Sequence, residues 1–289
     1  MKKLIAVAAK TIFFGLIINA NPIRSFAQGA TNQNIIAPNA KPAVFLQQGV
    51  SVPNGESAPC FTPDGNTVYL SDNDTIKISK KINGKWMKPT IVSISGRWKD
   101  WDATLSPDGK RMVFVSNRPL DGMPQDKPQK NSHLWYSDRI SGEKWSAPVH
   151  FDAPVNEDGF NDYAPSVSNS GTICFCSRGR YSNKGMCGYY TKWLGDHYDK
   201  PQRMVLNGDK DVFDPYIAPD ERFIVFASEQ SLFISYRRGN EWSVGEKLET
   251  QVNHGFINGG PYVSPDGKTL YYSSNEKDGI LMIPVNLTK

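Results

Sequence analysis

The sequence predicts an all-β chain folded as a β-propeller, in which similar four-stranded sheets stand as blades around an axis. Three observations predict it. First, a Ser/Thr-Pro-Asp-Gly turn followed by an apolar run and a serine recurs along the chain. It stands at Thr62-Pro63-Asp64-Gly65 before Val68-Tyr69-Leu70-Ser71, and at Ser106-Pro107-Asp108-Gly109 before Met112-Val113-Phe114-Val115-Ser116. It returns at Ala218-Pro219-Asp220-Glu221 and at Ser264-Pro265-Asp266-Gly267, and a worn copy, Ser168-Asn169-Ser170-Gly171, precedes Ile173-Cys174-Phe175-Cys176-Ser177. Second, an aromatic ending recurs as Trp86-Met87-Lys88-Pro89, Trp145-Ser146-Ala147-Pro148 and Tyr198-Asp199-Lys200-Pro201, and as Trp242-Ser243 where Gly245 replaces the proline. Third, the copies recur at intervals of 44 to 62 residues, roughly the size of one blade. Five copies favour five blades. Six is the alternative, but no unassigned stretch is long enough for a sixth.

Residues 1–27 read as a secretory signal. Lys2, Lys3 and Lys10 give the positive start, Ile12 to Ile18 are mostly apolar, and Ser25-Phe26-Ala27 fits a signal peptidase. The apolar run is shorter than the ~20 residues that span a bilayer, and no cysteine follows it as a lipoprotein requires. The expected location is therefore periplasmic or secreted. Residues 28–40, rich in Asn, Gln and Ala, read as a flexible N-terminal arm, and 41–289 as a single propeller domain.

Within a repeat the second one serves as the pattern. Asp102 to Ser106 is a short first strand that ends at the Pro107-Asp108-Gly109 turn, where Pro fixes one turn position and Gly permits another. Met112 to Ser116 is apolar almost throughout, as expected of a strand covered on both faces. His133 to Ser137 is the third strand. Trp145 to Val149 is the fourth, and its proline suits an edge because it cannot donate to a ladder. The last repeat stops after Ile280-Leu281-Met282-Ile283-Pro284. Lys41-Pro42-Ala43-Val44 resembles the missing fourth strand, so the N-terminal segment is expected to complete the last blade and close the ring, which also protects its edges.

Net charge narrows the partners. The signal carries four basic residues and no acid, so the +4 of the full chain falls to zero, with 29 basic and 29 acidic residues left. Nothing suggests the clustered positive charge of a nucleic-acid partner. After signal removal no segment is expected to span a membrane, and a monomer is expected. The four cysteines, Cys60, Cys174, Cys176 and Cys187, are either buried thiols or, for Cys176–Cys187, a hairpin disulfide. No spacing points to zinc.

The Ser-Pro-Asp-Gly-Lys turn, apolar strand and following Ser-Asn resemble the WD40-like β-propeller repeat of TolB-type proteins across nearly all of 42–287. That resemblance implies a rigid, non-catalytic platform for a protein or peptide partner. The TolB propeller itself has six blades, and this chain shows five repeats.

In such a propeller the first strands line the channel and the loops entering them share one mouth. Aligning the repeats places Glu56, Asp100, Asp162 and Asn258 at one position, with Val212 in the fourth repeat. Two residues on come Ala58, Asp102, Ala164, Asp214 and Gly260. The loops after the second strands add Arg118, Arg178, Arg180 and Tyr181, and Trp101 lies where an aromatic face could stack on a sugar. The expected ligand-binding set is Glu56, Asp100, Trp101, Asp102, Arg118, Asp162, Arg178, Asp214 and Asn258. Converging carboxylates suit three roles: acid and base on a glycosidic bond, oxygen ligands for Ca²⁺, or hydrogen-bonding partners of a peptide or glycan. The structural alternative is that each satisfies backbone amides at the start of an inner strand. No cofactor is expected; Asn156 to Asp162 carries oxygen ligands and a Gly, but not in the spaced calcium-loop pattern. No Ser–His–Asp or Cys–His arrangement is legible, and the Ser-x-Asp-x-Gly-x-Thr-Trp box of sialidases is absent. The leading expectation is an exported binding propeller that takes a protein, peptide or glycan ligand at the channel mouth. The alternative is a glycoside hydrolase or polysaccharide lyase that uses carboxylates at the axis.

Overall fold

Five antiparallel sheets build the molecule, one for each copy of the turn. The computed structural model describes residues 34–45, 58–180, 185–255, 257–275 and 277–287, all within the unit Asn34–Lys289. The signal segment, Glu56 and Tyr181 lie outside the described residues.

From axis to rim, blade one runs Cys60–Phe61, Thr67–Ser71, Ile76–Ile82 and Lys85–Trp86. Blade two runs Asp100–Leu105, Arg111–Ser116, His133–Ser141 and Lys144–Trp145, and blade three Asn161–Val167, Ile173–Arg178, Met186–Thr191 and Gln202–Arg203. Blade four runs Phe213–Ile217, Phe223–Ser228, Ser231–Arg238 and Glu241–Trp242. Blade five runs Asn258–Val263, Thr269–Ser274 and Lys277–Pro284, and its rim strand is Ala43–Val44. The five-bladed ring with N-terminal closure is thus the observed architecture. Ala43 pairs with Met282 and Val44 with Leu281, and the Phe45 amide continues the ladder to the Ile280 carbonyl at 2.7 Å.

The arm expected over 28–40 is corrected for its described part. Ile36 is fully buried in the core between blades four and five. Its amide donates to Glu249 Oε1 at 3.2 Å, and the Asn286 amide donates to the Ile35 carbonyl at 2.9 Å. A polar composition concealed one isoleucine with a seat to fill.

The core is five separate apolar clusters, one in each seam between neighbouring blades. Alternation along a strand explains it. Met112 and Phe114 face blade one, while Val113 and Val115 face blade three. Each second strand must therefore be apolar at every position, which is the run seen in the sequence. The same alternation decides the cysteines. Cys176 stands opposite Gly188 and Cys187 opposite Ser177, so their side chains leave opposite faces of the hairpin. All four thiols are free and buried.

The fourth strand is not one piece. Lys85–Trp86 pairs with the end of the third strand, while Thr90–Ile91 pairs with its beginning. Pro89 falls between them, where no ladder amide is required. Blade four departs for a physical reason. The Gly245 amide donates to the Leu206 carbonyl at 2.7 Å, and a side chain there would meet the Phe226 ring at 2.5 Å. Neither proline nor any larger residue fits.

The turns at the far end cap themselves, as expected of Asp64, Asp108, Asp220 and Asp266. Thr62 Oγ1 donates to Asp64 at 2.6 Å and Ser106 Oγ to Asp108 at 2.7 Å. The worn turn of blade three has no aspartate, and blade four supplies the substitute. Ser168 Oγ and Ser170 Oγ both donate to Glu221 Oε1, at 2.8 and 2.5 Å. Glu221 occupies the left-handed position, φ 58°, that glycine holds in blades one, two and five; a non-glycine residue there is held against a strain of about 1 kcal/mol.

Candidate functional site

The inner strands of blades two to five enter the ring from the mouth, and each entry is stitched by an amide to the preceding blade. The Asp100 amide donates to the Asp74 carbonyl at 2.9 Å and that of Asp162 to Ser132 at 2.9 Å. Val212 reaches Met186 at 3.0 Å and Asn258 reaches Gln230 at 3.1 Å. The side chains at this position turn away from the channel. Asp100 and Asp162 have no solvent exposure. Asp100 Oδ1 accepts from Arg118 Nη2 at 2.6 Å and Ser116 Oγ at 2.7 Å, and Oδ2 accepts from Ser95 Oγ at 3.0 Å. The Arg118 guanidinium continues to Ser116 Oγ and the Ile94 carbonyl. Blade three repeats the device. Arg180 Nε and Nη2 clamp the two oxygens of Asp162 at 3.1 and 2.8 Å, and the same guanidinium reaches Ser177 Oγ and the Val155 carbonyl. Asn258, 2% exposed, donates to the Gln230 and Gly255 carbonyls. Asp100, Asp162, Asn258 and Arg118 therefore tie entry loops to blades through these bonds, while Asn258 Oδ1 is buried without a hydrogen-bond partner among the described residues.

Three serines of this arrangement carried no role in the sequence reading: Ser116, Ser177 and Ser228. Ser228 Oγ donates to the Asp211 carbonyl at 2.7 Å and accepts from Asn207 Nδ2. Their signal was the serine that ends the apolar run, visible in every repeat.

Two residues further along, the inner strands of blades two to five each carry a bulge. The bulged residue is Asp102, Ala164, Asp214 or Gly260, all with φ between 47° and 54°. Bulges re-aim side chains, and here they turn this position into the channel. Ala58, Asp102, Ala164, Asp214 and Gly260 line a narrow cavity of about 40 Å³. Asp102 Oδ2 accepts from the Ala164 amide at 2.9 Å, and Asp214 Oδ2 accepts from the Gly260 amide at 2.9 Å. Each acid thus spans a seam and is fixed by the next blade's bulge. The Asp102 amide in turn donates to Ser71 Oγ of blade one. Gly259 has no side chain, and a Cβ there would come within 3.1 Å of Asp214 Oδ2. Burial raises the Asp214 carboxyl above the ordinary carboxylate range, and the Gly260 amide offsets part of that.

Below the acids a second ring closes the channel: Cys60, Thr104, Ser166, Tyr216 and Tyr262. The Leu105 amide points at Cys60 Sγ, and the Ile217 amide donates to Ser166 Oγ at 3.0 Å. Tyr216 Oη donates to the Val263 carbonyl, and Tyr262 Oη accepts from the Phe61 amide, both at 3.2 Å. Cys60, Ser166, Tyr216 and Tyr262 each meet the backbone of the following blade, so the girdle ties the blades together.

Trp101 is half-buried and packs on Tyr163 of the next blade at 6.5 Å, within the seam between blades two and three and away from the channel lining. Arg178 is exposed at the end of its strand. Of the expected set the structure brings Asp102 and Asp214 together at the channel. In the Asn156–Asp162 loop, Asn156 is engaged by the Leu134 backbone and the Phe151 carbonyl, and Asp162 by Arg180. Among the described residues no group of three or more His, Cys, Asp or Glu is placed to hold a metal.

The class defined here is a five-bladed β-propeller with two acids fixed in its channel. No protein-family model matches the chain, and no match is found among curated proteins. Solved structures are similar in fold alone. An Agrobacterium tumefaciens protein taken to be TolB is 16% identical, with 75% of this chain and 68% of that chain covered at a TM-score of 0.51. A protein of unknown function from Dyadobacter fermentans is 13% identical, with 86% and 84% covered at 0.53. TolB from Acinetobacter baumannii is 14% identical at 0.47, and the match spans 79% of this chain and about half, 54%, of that one.

Proposed function

We propose that the chain is an exported, non-catalytic β-propeller of the TolB type that binds a protein, peptide or glycan ligand at its channel mouth. The observation that carries this reading is the pair Asp102 and Asp214. Both sit in strained bulges on alternate blades, both are held by the next blade's amide, and only Ala58, Ala164 and Gly260 stand between them. Left-handed non-glycine positions are retained where the surroundings demand them, and they concentrate at sites of function. Two fixed carboxylates in a narrow channel favour a ligand that brings an ammonium, a guanidinium or a set of hydroxyls.

Calorimetric titration with a panel of basic peptides and glycans tests this reading. The pair Asp102→Asn and Asp214→Asn should abolish binding while leaving the unfolding temperature within a few degrees. Binding that survives the double substitution would refute the reading. Fractionation of expressing cells for a shortened mature chain tests export.

One observation favours the catalytic alternative. Asp214 is shifted upward by burial, as a general acid on a glycosidic bond should be. Under that reading Asp214 protonates the leaving oxygen and Asp102 serves as its partner. A polysaccharide panel that yields cleavage products, lost in Asp214→Asn, would replace the binding reading.

A further inference from the structure

We propose that the seam between blades five and one holds a second site, a cleft that takes a neutral saccharide. It is separate from the channel mouth and does not rest on the reading above.

Among the described residues the seam buries Phe45, Phe61, Val68, Leu70 and Ile280. Beside them lies an open cleft of about 690 Å³, lined by Phe61, Trp86, Tyr271 and Met282. That volume lies within the roughly 300–1,000 Å³ of small-molecule sites.

The repeat supplies an internal control. Each aromatic ending in blades one, two and four has a cation paired across the rim hairpin. In blade two the Arg139 guanidinium lies 4.4 Å from the Trp145 ring centre, and Trp145 is 6% exposed, edge-on to Tyr69 at 6.0 Å. In blade four Arg237 lies 4.8 Å from the Trp242 ring. In blade one the cation is Lys81, 5.8 Å away, a point charge where the others carry a flat guanidinium. Like Trp242 in blade four, Trp86 is partly exposed. It is fixed edge-on by Phe45 at 5.7 Å and by Phe61 at 5.9 Å, and it presents indole surface to the cleft.

The rim is polar and balanced. Lys81 and Lys85 bring two ammoniums, and no ion pair engages either among the described residues. Asp64 and Asp266 bring two carboxylates. Turn hydrogen bonds hold the acids still. Asp266 Oδ1 takes the Ser264 hydroxyl and the Lys268 amide. Tyr271 adds a hydroxyl, and burial with the Asp266 charge pushes its pKa up to about 12, so it stays a donor. A rim of equal and opposite charges gives no net attraction to an anion or a cation. Separated donors and acceptors around angled aromatic faces do match a sugar ring, whose C–H face stacks and whose hydroxyls both donate and accept. A peptide would instead require a run of unpaired strand amides, and the Phe45 amide at this edge is already bonded to Ile280.

The test is tryptophan fluorescence and calorimetry on the mature chain with cellotriose, maltotriose and chitotriose. At least one should bind with a Kd on the order of 1 mM. Trp86→Ala should weaken that binding about tenfold or more, and Lys85→Met should weaken it less. Trp86→Phe keeps an aromatic face and should retain most of the affinity, which separates stacking from a folding defect. The Asp102→Asn and Asp214→Asn pair should leave this binding unchanged even if it abolishes binding at the channel. The proposal fails if no trisaccharide binds, if Trp86→Ala binds like wild type, if the channel pair abolishes the signal, or if only charged sugars or peptides produce it.

Discussion

Replacing Asp100 by alanine decides whether this acid holds the fold or waits for a ligand. In the wild type it has no solvent contact and accepts from Ser95, Ser116 and Arg118. Alanine leaves the Arg118 guanidinium, whose side chain is 10% exposed, facing Ser116 Oγ and the Ile94 carbonyl without a counter-charge. Removing one partner of a buried pair costs about 3–5 kcal/mol. The remaining carbonyl contact places Asp100→Ala near the lower end, about 3 kcal/mol. For a domain of this size each kcal/mol moves the midpoint by about 2–4 °C, so a drop of about 6–12 °C is expected. Urea and thermal unfolding followed by tryptophan fluorescence measure both. Adding Arg118→Met removes the orphaned charge and should recover at least half of the loss, because an apolar pair is often as stable as a buried ionic one. Asp162→Ala should behave alike through Arg180. A loss under about 1 kcal/mol, the scale of a surface pair, would show that Asp100 does not anchor its blade.

Three further outcomes follow from the same structure. Glu221→Gln should cost about 1–2 kcal/mol by weakening the charge-assisted bonds from Ser168 and Ser170. Those bonds outweigh desolvation and lower the Glu221 pKa below 4.5, so its contribution is present above that pH and lost as the pH falls through the folded value; the two proteins should converge in acid unfolding curves. Gly245→Ala should cost about 1–3 kcal/mol through the Phe226 contact, and Gly245→Pro more, since the Leu206 carbonyl also loses its donor; chemical denaturation ranks them. His150 is held down to about 4 by burial and by His133, whose ring nitrogen lies 2.9 Å away. The unfolded chain therefore binds a proton that the folded chain refuses, and stability should fall between about pH 6.5 and 4, by on the order of 2 kcal/mol; His150→Phe should flatten that slope in a melting-temperature series.

The ring was legible because its requirements are local and repeated. A turn needs Pro, Asp and Gly at fixed places, and a strand squeezed between two seams must be apolar at every position. Even the borrowed rim strand could be read, because the last repeat ends one strand short. The site was legible only to the level of which position faces inward. Asp100 and Asp102 differ by two residues and share a strand, so simple alternation gives them one face. A bulge between Trp101 and Thr104 separates them, and nothing in the identity of a single aspartate announces a bulge. Arg118 and Arg180 were read as mouth residues because their role depends on a partner 18 positions back. Ile36 was missed because one apolar residue in a polar stretch has no periodicity to betray its seat.

The join of Ala43–Val44 to Leu281–Met282 sets an order of events. These residues are synthesised first and placed last, since their pairing partners lie more than 230 positions downstream. Contacts so distant along the chain are slow to form, because the intervening polymer must be ordered before they are rewarded. Until then blade five has an open flank and Ile36 has no socket. A nascent or truncated chain is therefore a spring washer that has not yet been clipped, vulnerable to proteases and to pairing with its neighbours. A fusion placed at the amino end would load the clasp, whereas an insertion in an outward hairpin would leave it untouched.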